Sequence, residues 1–253
     1  MKKDLFDKQK SVQDSAPSTA MATPKTTALA TPEQMAGMFD VQENMEGVEP
    51  RLPQIRIAHQ AQVFKMPDDT KVDSLEGIII DSNRCNAFWA KSFEEAGAGN
   101  PPDCFSLDGV KPNRENPCAK TCAECKNNRY GTDGGRGKAC KNMRRVHILI
   151  DKNILPFRLS LPPSSLRSVD DYFVQLTTKG RPYPTVITQI SLTEAKNKDS
   201  IAYSRPEFEM LSEINELDEL AKIKDMRTKL RATMQLQEVT ADEFASADEK
   251  DVF

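Results

Sequence analysis

Five of the six cysteines fall within 37 residues, at Cys104, Cys118, Cys122, Cys125 and Cys140. Cys122-Ala-Glu-Cys125 has the two-residue gap that lets both thiolates bind one metal ion from a tight turn. Cys140 follows fifteen positions later. Structural Zn2+ takes four ligands and leaves no open position, and an all-cysteine set meets that demand. Either Cys104 or Cys118 could be the fourth. Cys118 would crowd three ligands into one Cys-x3-Cys-x2-Cys turn, whereas Cys104 comes from a separate segment and clamps the base of the loop. The expected set is therefore Cys104, Cys122, Cys125 and Cys140. His147 is a weaker candidate, because it alternates within an apparent strand, and Cys85 reads as a core thiol. The stretch from 104 to 140 has almost no large aliphatic side chains, so something other than a hydrophobic core must order it. Metal binding contributes about 10–16 kcal/mol in small zinc modules.

The cysteines are surrounded by cations. From Lys111 to Arg145 there are ten Lys or Arg and three Asp or Glu, a balance of +7. Lys126, Arg129, Arg136, Lys138, Lys141, Arg144 and Arg145 crowd closest. A charge run is usually a solvated face, but a metal knot would fix many of these residues on one surface. Cations so fixed bind phosphates through counterion release, without regard to sequence. Tyr130 lies inside the run, and Phe88 and Trp89 lie on a nearby predicted strand. Unpaired bases stack on such rings for roughly 1–3 kcal/mol each. Trp89 reads equally well as barrel core, whereas Tyr130, between Arg129 and Gly131, reads as exposed.

Other chemistries fit poorly. Gly131-Thr-Asp-Gly-Gly-Arg-Gly-Lys138 resembles a phosphate loop, yet Thr132 and Ala139 stand where a Walker A motif needs Gly and Ser or Thr. The chain has two histidines, His59 and His147, both in strand-like settings, which argues against a His-based hydrolase or nuclease. No pair of carboxylates suggests a two-metal site. The expectation is a binding protein and not an enzyme.

The elements that must hold these residues read as mainly β, an α+β chain. Alternation over Leu52–Phe64 predicts one or two strands, and Gly77–Asp81, Asn86–Ala90, Arg145–Ile150 and Phe157–Leu161 predict more. Leu166 to Thr178 has helical spacing and is closed by Gly180. Thr185–Leu192 is a β-branched strand with which Ile201–Tyr203 can pair. From Pro206, Phe208, Leu211, Ile214, Leu217, Leu220, Ile223, Met226 and Leu230 recur at three or four, which predicts one amphipathic helix over 206–236 packed on the chain's own barrel. Five or so short strands with one helix suit a small oligonucleotide-binding (OB)-like barrel, while a doubly wound sheet would need a helix after nearly every strand.

The 253-residue chain has 38% apolar residues, below the usual 45–50% that counts Gly as well, and the deficit is concentrated at its ends. The expected organisation is a disordered leader over 1–50, a folded core over 51–205 with a zinc-binding insertion at about 100–142, the helix over 206–236, and an acidic disordered tail over 237–253. That tail holds six acids and one Lys, a balance of −5. It ends in an aromatic residue that carries the terminal carboxylate, a group suited to a greasy pocket with a basic rim. No signal peptide or membrane-spanning run is visible, so a reducing cytoplasm and thiols rather than disulfides are expected.

The acidic tail ending in Phe253 resembles that of bacterial and phage single-stranded DNA-binding proteins. The stretch Pro102-Asp-Cys-Phe-Ser-Leu-Asp-Gly109, then Cys122-x2-Cys125, then Gly135-Arg-Gly-Lys-Ala-Cys-Lys-Asn-Met-Arg-Arg145 is similar to phage proteins of this kind, whose OB barrel is interrupted by a zinc loop. The resemblance spans about residues 51–205 and the last ten. It implies a protein of DNA replication or recombination, in the host cytoplasm, that coats and protects single-stranded DNA. It further implies that Asp248, Glu249, Asp251, Val252 and Phe253 recruit a polymerase, helicase or primase and compete with DNA. The best-known phage zinc version has a histidine among its ligands, so that family's DNA contacts are not carried over here. The main alternative is a zinc-ribbon regulator that docks on RNA polymerase or another protein.

Overall fold

The computed structural model describes residues 44, 46–48, 51–90, 101–135, 137–151, 153–196, 202–237 and 239. The chain divides into Met1–Glu49 and Pro50–Phe253, and the strands and long helices among the described residues belong to the second unit. Nearly all of the expected leader and all of the tail beyond residue 239 lie outside the described residues.

In chain order the elements are β1 (Gln54–Ala58), β2 (Val63–Lys65), β3 (Lys71–Val72), β4 (Ser74–Phe88), β5 (Cys104–Ser106), β6 (Lys141–Leu149), β7 (Phe157–Leu161), α1 (Leu166–Thr178), β8 (Val186–Lys196), β9 (Ala202–Glu213) and α2 (Leu217–Leu236). The strands form one sheet in the order β3-β2-β1-β7-β6-β4-β8-β9, with β5 added to β4. Every pairing is antiparallel except β1 with β7.

The sheet curls into a half-barrel because β4 serves two neighbours. Its first residues, Ser74 to Gly77, pair with β8, and Ile78 to Ala87 pair with β6. A register shift between Ile79 and Asp81 marks a bulge, the device that bends and twists a strand. Gly77 sits at this changeover, where a Cβ would collide with the Leu149 carbonyl, so only glycine lets the strands pass so closely. The curl brings β9 back toward β1: the Ser204 hydroxyl donates to the His59 carbonyl at 2.9 Å.

Alternation supplies the core. Ile55, Ile57, Phe64, Ile79, Val146, Ile148, Leu159, Leu161 and Ile190 point into the curl. α1 closes it with Val169, Tyr172 and Leu176, spaced to share one helix face. The helix stops at Gly180, whose φ of +67° is the left-handed conformation that glycine adopts freely. A second cluster joins α2, through Ile223 and Met234, to Ile80 and Leu52.

Two sequence expectations need correction. Gly77–Asp81 and Asn86–Phe88 belong to one long strand, β4, which ends before Trp89 and Ala90. The predicted helix over 206–236 is a strand to Glu213 and a helix only from Leu217. Pro206 is buried and Phe208 and Met210 pack on the core, whereas Leu211 is exposed. The true period there is two. Apolar residues at 208, 211 and 214 happen to be three apart, and so imitate a helix.

Candidate metal and nucleic-acid site

The link between β4 and β6 carries the cysteines. Its described part is laced together by backbone hydrogen bonds: Cys122 N–H to the Val110 carbonyl (2.8 Å), Asn113 N–H to Phe105 (2.6 Å) and Cys140 N–H to Asn127 (2.8 Å). Asn128 donates from its side chain to the Cys122 carbonyl at 2.8 Å. Cys125 precedes a tight 3-10 turn, Lys126–Asn128. All but the last of the cysteines in the link arrive from loops or the short β5, and Cys140 sits directly before β6.

Cys104, Cys118, Cys122, Cys125 and Cys140 line one cavity of about 20 Å3, closed by Phe88, Phe105 and Pro112. That is room for a single water-sized occupant. The sulfurs are not drawn in around a common point: among the described residues no group of three His, Cys, Asp or Glu is arranged to hold an ion. Shared lining and ligand geometry are different things, since thiols can surround a space without being turned into it. Cys122 and Cys140 are buried, Cys104 and Cys125 half-buried, and Cys118 exposed. Burial, then the neighbouring thiols of Cys122, Cys125 and Cys104, pushes the Cys140 thiol up to about 12. Burial likewise raises Cys104, with Arg114 opposing. The Cys85 side chain is buried beside Ala87 and Met143.

The expected DNA contacts separate into three groups. Lys126, Arg129 and Lys141 are exposed, as is Tyr130, at 81%. Lys138 lies 5.0 Å from the Tyr130 ring centroid and donates to Asn128 Oδ1 and Asn142 Oδ1. Arg144 is engaged: it pairs with Asp170 at 2.6 Å and lies over Phe173. Arg145 corrects the expectation of a surface cation. It is fully buried, and its guanidinium donates to the Gln237 carbonyl at 2.6 Å. Alternation along β6 turns Arg144 and Arg145 to opposite faces, and the Arg145 face is covered by the end of α2. Trp89 is half-buried against the Cys85 cluster. Arg136, Asp248, Glu249, Asp251, Val252 and Phe253 lie outside the described residues.

Sequence reasoning missed a neighbouring trough of about 600 Å3, whose lining includes Arg84, Lys111 and Arg144 together with Ser82, Asn83 and Leu107. Pro112 lines both the trough and the cysteine cavity. Gly109 lets the connecting turn lie on β4: its φ is +72°, and a Cβ there would stand 3.0 Å from Arg84 Cβ. Asp108 holds the same turn, accepting hydrogen bonds from the Val110 and Lys111 N–H groups at 2.7 and 2.8 Å. Burial works against its charge, but these bonds prevail and keep its carboxyl below the usual range. The only hint of the trough in the sequence is two arginines, Arg84 and Arg144, whose meeting depends on strand register.

No protein-family model, curated protein or solved structure matches this chain.

Proposed function

We propose that this chain binds single-stranded DNA, without catalysis, on a zinc-ordered loop projecting from an OB-like barrel. The observation that carries the reading is the cavity lined by five cysteines, set in the link between β4 and β6, a link that also carries the exposed Lys126, Arg129 and Tyr130. Within the sheet, β7-β6-β4-β8-β9 runs in the order third, second, first, fourth, fifth by chain position, with α1 between the third and fourth. This order supports the OB-like reading, in which the loop between the first two strands is a principal oligonucleotide contact. On that reading the link carrying five of the cysteines takes that loop's place.

The donor set fits Zn2+: thiolates are its preferred structural ligands, and the cavity has room for one ion. Cys104, Cys122, Cys125 and Cys140 would hold it, being the less exposed thiols, while Cys118 stands at the exposed rim. The metal would supply only order and local positive charge. Lys126, Arg129, Lys138 and Lys141 would take phosphates, and Tyr130 would stack on a base. The acidic tail, with Phe253 at its end, would recruit replication proteins.

Titration of fluorescent oligothymidine and of a duplex at two salt concentrations tests the reading. Tight, salt-sensitive binding to the single strand and weak binding to the duplex are expected. Equal affinity for the two overturns it, and retention of a polymerase subunit without any strand preference would favour a zinc-ribbon regulator instead.

A further inference from the structure

We propose that the trough beside the cysteine loop is a subsite for one phosphodiester of the bound strand, held by Arg84, Lys111 and Arg144. The inference rests on the single-strand reading and assigns it a place not expected from sequence. Arg84 and Arg144 are directly opposed across β4 and β6. Like charges in that position repel and destabilise a sheet, so their pairing calls for an anion. The fold provides one carboxylate for both: Asp170 of α1 lies 2.6 Å from Arg144 and 3.3 Å from Arg84. One negative charge offsets half of the pair, and Lys111 adds a third cation to the lining. The one carboxylate in that lining, Asp108, is tied into the turn by three hydrogen bonds to one oxygen.

Unmet hydrogen bonding points the same way. Arg144 Nε, in a residue of the trough lining, is buried without a hydrogen-bond partner. Native structures seldom leave such an atom unpaired. A guanidinium N–H suits a phosphate oxygen. Through Pro112 and the 107–113 turn the trough also shares a wall with the cysteine cavity, so ordering the loop would place Lys111.

The test is binding of the full-length, zinc-replete chain to oligothymidine over a range of salt concentrations, with R84Q, K111Q and the double variant. Arg84 is 63% exposed at its side chain and Lys111 is also exposed, so these changes leave the core alone. Losing the one phosphate contact should lower the steepness of log K against log salt by about 0.7 in the double variant, and by less in each single variant. A control double variant, R167Q/K229Q, removes two exposed cations from the helices and should keep the wild-type slope. If wild type binds and R84Q/K111Q keeps its slope, the subsite is overturned while the single-strand reading survives. If wild type binds no single strand, both fall. Replacing chloride by phosphate at matched ionic strength separates the sources of the ligand. Weakening confined to chains with Arg84 and Lys111 intact means that free phosphate and the strand compete for the trough, which supports the proposal; a double variant that keeps the wild-type slope while losing phosphate uptake assigns the trough to free phosphate and overturns it.

Discussion

His147 shows how much one side chain can decide about this protein's response to acid. It is fully buried on β6, and neither ring nitrogen has a hydrogen-bond partner; the Asp81 backbone comes near without closing a well-formed bond. Burial lowers its pKa to about 4; Asp81 opposes that shift, and Arg145 and Arg158 add to it. The imidazole is therefore neutral in the fold. The unfolded chain takes up a proton near pH 6.5 and the folded chain only near 4. Stability from this group is full above about 6.5 and is lost as pH falls toward 4. The size follows from the shift and comes to about 3 kcal/mol. Denaturant unfolding between pH 7 and 4 should show this loss in wild type and a much flatter profile in His147→Leu. An identical slope in the two proteins would refute the assignment.

At the scale of elements, α2 is held by both apolar and polar contacts. Ile223 and Met234 are buried against Ile80, and Arg227 and Gln235 reach the buried Asp81 carboxylate at 3.3 and 3.0 Å. Met234→Ala should cost roughly 2–5 kcal/mol in chemical denaturation, whereas Leu217→Ala, at a side chain 81% exposed, should cost little. Equal effects would mean that α2 does not pack as described. The same helix marks the limit of what periodicity reveals. α1 was legible to its last residue, because its apolar spacing is helical throughout and Gly180 ends it. β7 and most of β8 were legible from β-branched runs and alternation. β9 was not, because Phe208, Leu211 and Ile214 fit a helix as well as a strand. What decides between the two is pairing with β8 along Val186 to Lys196, and a single sequence does not display its partners.

For the whole molecule, the cysteine link and the half-barrel should respond separately to loss of metal. The concentration of five cysteines in one link is legible in the sequence, and all five line one cavity, but the Arg84–Arg144 pair and the burial of Arg145 depend on register and on α2. Among the described residues, none in the main core cluster comes from the link, while Trp89, Phe105 and Leu107 pack on the smaller cluster around Cys85. The link is instead held by turns, polar hydrogen bonds and, on the reading above, a metal. Purified without chelator, wild type should carry about one Zn2+ per chain, as expected of a single four-thiolate site, and Cys122→Ser and Cys125→Ser should carry far less. Chelation should open residues 101–140 to limited proteolysis and weaken strand binding, while a resistant half-barrel keeps its far-ultraviolet circular dichroism. Local opening of this kind is expected of a segment with few buried apolar contacts. Absence of zinc from the wild-type chain would remove the metal from the account, and collapse of the whole fold on chelation would show that barrel and link are one cooperative unit.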